Sequence, residues 1–102
     1  MAKLFELGNI VATARLHDYM SENNFFNMFV GYCLSLYATG NWGKLDPEDW
    51  ALNDESVKTG ERILASYPIP YELQKELEGE EKIWIITEWD RSVTTILFPD
   101  EY

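Results

Sequence analysis

The sequence predicts an α+β domain: a small antiparallel sheet of about four strands, its C-terminal hairpin central, with about three helices packed on it. Three observations carry that expectation. Lys82 to Tyr102 holds two strongly β-prone runs, Ile83 to Trp89 and Val93 to Phe98, around the polar Asp90-Arg91-Ser92. Phe25 to Thr39 is apolar at helical spacing and is followed by Gly40, a left-handed stop. Leu45 to Trp50 (LDPEDW) is a helix start signal.

Taken in order, Leu4 to Thr13 alternates loosely around the turn pair Gly8-Asn9 and places a short strand at about Asn9 to Ala12. Thr13 is placed to cap a first helix, Ala14 to about Glu22, with Leu16, Tyr19 and Met20 on its apolar side. Asn23 and Asn24 interrupt it, as a kink or as the cap of a new helix. That second helix carries Phe25, Met28, Phe29, Tyr32 and Leu36 on one side and Phe26, Val30, Cys33 and Tyr37 on another. A helix apolar nearly all round is expected to be buried on most of its circumference or to pair with a second copy of itself. Gly31 costs about 1 kcal/mol relative to Ala in a helix interior, which predicts close packing against a neighbour there.

After the loop 41–44, Asp46 caps a third helix, Pro47 takes its first position, and Glu48 and Asp49 sit at the positive end of the dipole. Leu45 is placed to staple onto Trp50. This helix runs to about Thr59 and stops at Gly60; Trp50, Leu52 and Val57 are its large apolar residues, so one side lies in water. Glu61 to Tyr67 reads as a strand ended by Pro68 and Pro70. Tyr71 to Glu78 fits two helical turns or an ordered loop. On the first hairpin strand Ile83, Ile85, Thr87 and Trp89 share one face and Trp84, Ile86, Glu88 and Asp90 the other, which predicts a central strand covered on both sides at its Lys82 end. Trp84 is expected to be buried, with Trp42 and Trp89 nearer the surface.

With 102 residues, 46% of them hydrophobic and 15% aromatic, the composition argues for one domain over residues 1–102 and against disorder. Eighteen acids against eight bases leave a net charge of −10, which opposes binding to nucleic acid or an anionic membrane and points to a basic protein surface as partner. Cys33 is the only cysteine, so no internal disulfide forms, and its apolar neighbours predict a buried thiol in a reducing compartment. MAKLFELGN is not a secretory signal, and Phe25 to Ala38 falls short of the roughly 20 residues of a membrane span, so a soluble cytoplasmic protein is expected. His17 and Cys33, the sole imidazole and thiol, fall on different helices; no metal and no cofactor are expected, and a packed Cys33 is favoured over a nucleophile. Neither a glycine-rich phosphate loop nor a basic patch is present.

Charge is distributed unevenly. Residues 46–81 hold eleven acids against three bases, a net of −8, leaving −2 for the remainder. A solubilising acidic face is the plain account; a surface that imitates nucleic-acid phosphates is the sharper one. The candidate partner-binding residues are therefore Asp46, Glu48, Asp49, Asp54, Glu55 and Glu61, with Trp42 beside them and Glu88, Asp90 and Arg91 at the hairpin tip. An ion pair from Arg91 to Glu88 or Asp90, ordering the turn, is favoured over general acid and base chemistry there.

The series GNWG from Gly40, Asp49 and Asn53, Gly60, Arg62-Ile63-Leu64, Ser66-Tyr67 and the closing IWIITEWDRSVTTILFPDEY resembles a family of small acidic bacterial proteins. Its members are carried on plasmids, integrative elements and phages, and are often labelled plasmid-related or as a restriction-modification subunit. FELGNIVAT resembles their usual opening; Arg15 to Ala38 matches loosely, and Pro68 to Glu81 looks longer than usual. The resemblance implies a setting, the cargo of mobile DNA, and no catalytic residue. In size and charge the chain is similar to anti-CRISPR and anti-restriction proteins, which implies a non-enzymatic inhibitor that binds a basic surface of a host defence protein. The alternative is a structural or regulatory module of element maintenance, homodimeric through Phe25 to Thr39. An enzyme, the third reading, would need a deep pocket near Glu88, Asp90 and Arg91.

Overall fold

The computed structural model describes residues 3–102. In chain order the elements are β1 (Asn9–Ala12), α1 (Ala14–Glu22), α2 (Asn24–Ala38), α3 (Pro47–Thr59), β2 (Ile63–Pro68), α4 (Tyr71–Gln74), β3 (Lys82–Thr87) and β4 (Val93–Leu97), with short 3-10 turns at Lys75–Leu77 and Pro99–Glu101. The fold is α+β, and the C-terminal hairpin is central in a four-stranded sheet of order β1-β4-β3-β2. The 71–78 segment takes the helical alternative. Trp89 lies beyond the end of β3, in the hairpin turn.

The sheet is mixed and not wholly antiparallel, because β1 runs parallel to β4, Asn9 opposite Val93 and Ala12 opposite Ile96. Gly8 explains the direction. At φ +66° it brings the chain so close to the hairpin turn that an added Cβ would lie 2.3 Å from the carbonyl oxygen of Ser92. The Asn9 amide then donates to that same oxygen (3.0 Å) and the Thr13 amide to Ile96 (3.1 Å), so both strands start at the same end. Such pairing needs a long crossover, here everything between β1 and β4.

Local signals fix the helices. Asn23 caps α2 by accepting from the Phe26 amide (3.1 Å), and Asp46 caps α3 by accepting from the Asp49 amide (2.9 Å), with Pro47 in the first turn and Gly60 left-handed at the end. Thr13 differs from expectation: it makes no side-chain cap to α1, because its hydroxyl donates to Glu101 Oε1 (2.8 Å) in the C-terminal turn.

One sheet face carries Ile63, Ala65, Tyr67, Ile83, Ile85 and Ile96, buried against Leu16, Phe26, Val30, Cys33 and Tyr37 of α1 and α2. The opposite face carries Trp84, which is half-buried and not buried as expected, with the ring of Tyr102 set edge-on at 5.7 Å. The β2 edge is closed group by group. Asn53 bonds both backbone groups of Leu64, Trp42 and Lys44 pair with Ser66, and Pro68 has no amide to offer.

At the centre of the core lies a chain of hydroxyls. Thr94 Oγ1 donates to the Leu7 carbonyl (2.6 Å), Thr87 Oγ1 lies 2.7 Å from Thr94 Oγ1, and Tyr37 Oη lies 2.7 Å from Thr87 Oγ1. A carbonyl only accepts and each hydroxyl has one proton, so the order is fixed: Tyr37 donates to Thr87, Thr87 to Thr94, and Thr94 to Leu7. Thr94→Val should therefore strand the Leu7 carbonyl and turn the Thr87 proton back to Tyr37, whose own proton has the Ile63 carbonyl at 3.4 Å, at a cost of about 2–3 kcal/mol, whereas Tyr37→Phe leaves the Thr94 bond to Leu7 intact and should cost about 1 kcal/mol. Urea unfolding of the two variants checks this; equal losses would reject the proton order.

Candidate partner-binding site

The expected acidic residues divide according to what their carboxylates already do. Asp46 is committed to its cap and Asp54 to the indole Nε1 of Trp42, at 2.9 Å. Glu48, Asp49, Glu55 and Glu61 are exposed, and none has a basic partner within ion-pair distance among the described residues. Helical spacing aligns Glu48, Leu52 and Glu55 in one stripe, and Leu52 is 63% exposed between the two carboxylates. Beside it, Asp49 and Glu61 rim a groove of about 450 Å³ whose apolar lining is Leu45, Leu52 and Leu64, with Arg62 also present. Asn53 holds this arrangement together, since its amide ties α3 to Leu64 at 2.7 Å.

Trp42 is not near the surface. It is fully buried, with Phe5 at 6.0 Å and Tyr37 edge-on at 5.5 Å. Gly43 is the cause: at φ +79° it lets the loop close on β2 where a Cβ would sit 2.1 Å from the Ser66 oxygen, and the preceding indole is carried inward. Trp42 therefore contributes to the candidate surface only by fixing Asp54.

The hairpin tip also differs from expectation. Arg91 pairs with neither Glu88 nor Asp90; no carboxylate lies within ion-pair distance of it among the described residues. Left-handed at φ 60°, it sends its guanidinium back to donate to Ser56 O and Glu61 O, both at 2.7 Å, which caps the negative end of α3. The Ser92 hydroxyl and amide hold the Asp90 carboxyl below its usual pKa range. Trp89 is exposed beside them, as expected. Arg91 is thus a structural link between the hairpin and α3.

A second surface lies on α2, which is not buried on most of its circumference. On α2 the buried side is Phe26, Val30, Cys33 and Tyr37, leaving Phe25, Met28 and Tyr32 outward, 74%, 62% and 62% exposed. They border a groove of about 610 Å³ shared with Pro70, Leu73, Glu72 and Glu76. The spacing of Phe25, Met28 and Tyr32 was visible in the sequence; which side faced inward was not. Gly31 likewise has open space and no close neighbour at its Cβ position.

The remaining acids of the central segment are partly engaged. Arg15 pairs with Glu80 (2.8 Å), Asp100 (2.9 Å) and Glu101 (3.5 Å), and Asn23 donates to Glu76 (2.7 Å). Among the described residues no group of three or more His, Cys, Asp or Glu side chains is arranged to hold a metal, and no helix is long and apolar enough to cross a membrane. No family model, curated protein or solved structure matches the chain.

Burial pushes the Cys33 thiol up to about 12 and raises the Tyr37 and Tyr67 phenols as well. A thiol held neutral is a poor nucleophile. These protons are bound more tightly in the folded chain, so their contribution to stability is full below the ordinary pKa values and is lost as pH rises through the folded ones. The melting temperature should fall as pH is raised above about 9, and iodoacetamide at pH 8 should label Cys33 only in denaturant. Rapid labelling of the native protein would contradict the packing.

Proposed function

We propose that this chain is a non-enzymatic inhibitor of the anti-defence kind, which docks its α3 surface onto the basic, nucleic-acid-binding surface of a host CRISPR effector or restriction enzyme inside the bacterial cytoplasm. The observation that supports it is the composition of the α3 stripe: exposed carboxylates without internal partners alternate with the exposed Leu52, beside a groove with an apolar floor that is lined by Asp49 and Glu61 against the single base Arg62. Such a groove suits the side chain of a partner's Lys or Arg, whose aliphatic stem lies on Leu52 and Leu64 while its charge meets Asp49 or Glu61. With a net charge of −10 the chain is also attracted from a distance, which raises the association rate.

Inhibition of DNA cleavage across a purified panel of such effectors tests the reading. At least one should be inhibited at low salt and less so at high salt, and Glu48→Lys/Glu55→Lys should weaken inhibition roughly tenfold or more with little change in stability, since both sites are exposed. Unchanged cleavage throughout the panel at low and moderate salt would overturn the proposal.

A further inference from the structure

We infer that the groove between α2 and α4 is a second docking site, and that its occupant is a cationic amphipathic helix of a partner protein. The 15 residues of α2 contain no charged side chain, although the chain as a whole carries −10. Its outward face mixes the exposed Asn24, Asn27 and Ser35 with three large apolar side chains, Phe25, Met28 and Tyr32, and Tyr71 at the start of α4 is 82% exposed nearby in sequence to the groove's Leu73. Phe25, Met28 and Tyr32 follow the i, i+3, i+7 spacing and cover about two turns, the length over which one helix lies against another. Aromatic rings and a thioether are the side chains that carry binding energy and adapt to a partner's shape.

Charge decides the occupant. The groove's ionisable lining is Glu72 and Glu76, and Asn23 holds the Glu76 carboxylate in place at 2.7 Å from the cap of α2. A second copy would bring the same acidic rim and another −10 to the contact, and an anionic membrane would be repelled by both. A helix with a Leu-rich face and flanking Lys or Arg meets the apolar floor and the acidic rim together. This site uses different residues from the α3 surface, so each is tested without the other.

The test uses the full chain and three fluorescein-labelled peptides: a Leu/Lys amphipathic helix, a Leu/Glu helix with the same apolar pattern, and a Ser/Lys peptide with no apolar face. Anisotropy should show the Leu/Lys peptide binding at least about tenfold more tightly than either control, because it alone satisfies floor and rim. Met28→Gln/Tyr32→Gln should weaken that binding about tenfold, and Glu72→Gln/Glu76→Gln about twofold to fivefold, as expected for exposed charges. Glu48→Gln/Glu55→Gln, on α3, should leave it unchanged. Circular dichroism melts confirm that the variants fold. Equal binding of the Leu/Lys and Ser/Lys peptides, or no response to the Met28 and Tyr32 changes, would overturn the site. Self-association abolished by Met28→Gln/Tyr32→Gln would assign the face to a second copy, and binding to anionic vesicles lost in that variant would assign it to a membrane; either result would overturn the proposed occupant.

Discussion

The buried run of hydroxyls from Tyr37 through Thr87 and Thr94 to the carbonyl of Leu7 joins α2, β3, β4 and the N-terminal arm at one point. Buried polar groups must find partners, so this run removes freedom from everything it touches. Holding Leu7 against Thr94 delivers Gly8 to the hairpin turn, and β1 follows beside β4. Holding Tyr37 over Thr87 sets the rotation of α2 about its own axis. Once Tyr37 points inward, helical spacing sends Val30, Cys33 and Phe26 with it and turns Phe25, Met28 and Tyr32 to water. The apolar outer face of α2 is thus a consequence of hydrogen bonding in the core.

Features fixed by neighbouring residues were legible in the sequence; those fixed by distant contacts were not. The start of α3 could be read because Asp46, Pro47 and Gly60 act on backbone groups within a turn of themselves. The hairpin could be read because its β-prone runs and its turn are adjacent. The parallel placement of β1 could not, because it depends on a contact between Gly8 and Ser92, at opposite ends of the chain. Arg91 departs from the expected local ion pair for a related reason. Near carboxylates suggest a local ion pair, yet the guanidinium donates to three carbonyls, those of Glu88, Ser56 and Glu61, two of them supplied by distant chain. Trp42 and the facing of α2 were hidden because an aromatic side chain or an apolar helix is equally compatible with core and surface until its polar neighbours are known.

The acids of α3 were visible as a composition bias; the structure sorted them into those that hold the fold, Asp46 and Asp54, and those left for solvent or a partner, Glu48, Asp49, Glu55 and Glu61. That sorting turns a diffuse charge into a stripe around Leu52. It also ties the stripe to the sheet at two places, through Asn53 to Leu64 and through Arg91 to Ser56, so the acidic helix is held as a rigid element along the closed edge.

The pairing of β1 with β4 has a kinetic side. The first strand, β1, is completed by the last, β4, so its partner is made only after every other strand of the sheet. Loop closure over so much chain is slow, and contacts between distant segments delay folding. On the ribosome, α1 and α2 would emerge with the sheet that covers their inner side still unmade, their apolar residues without a platform. Closure of the sheet therefore waits on the hairpin, with β1 unpaired until β4 has been made.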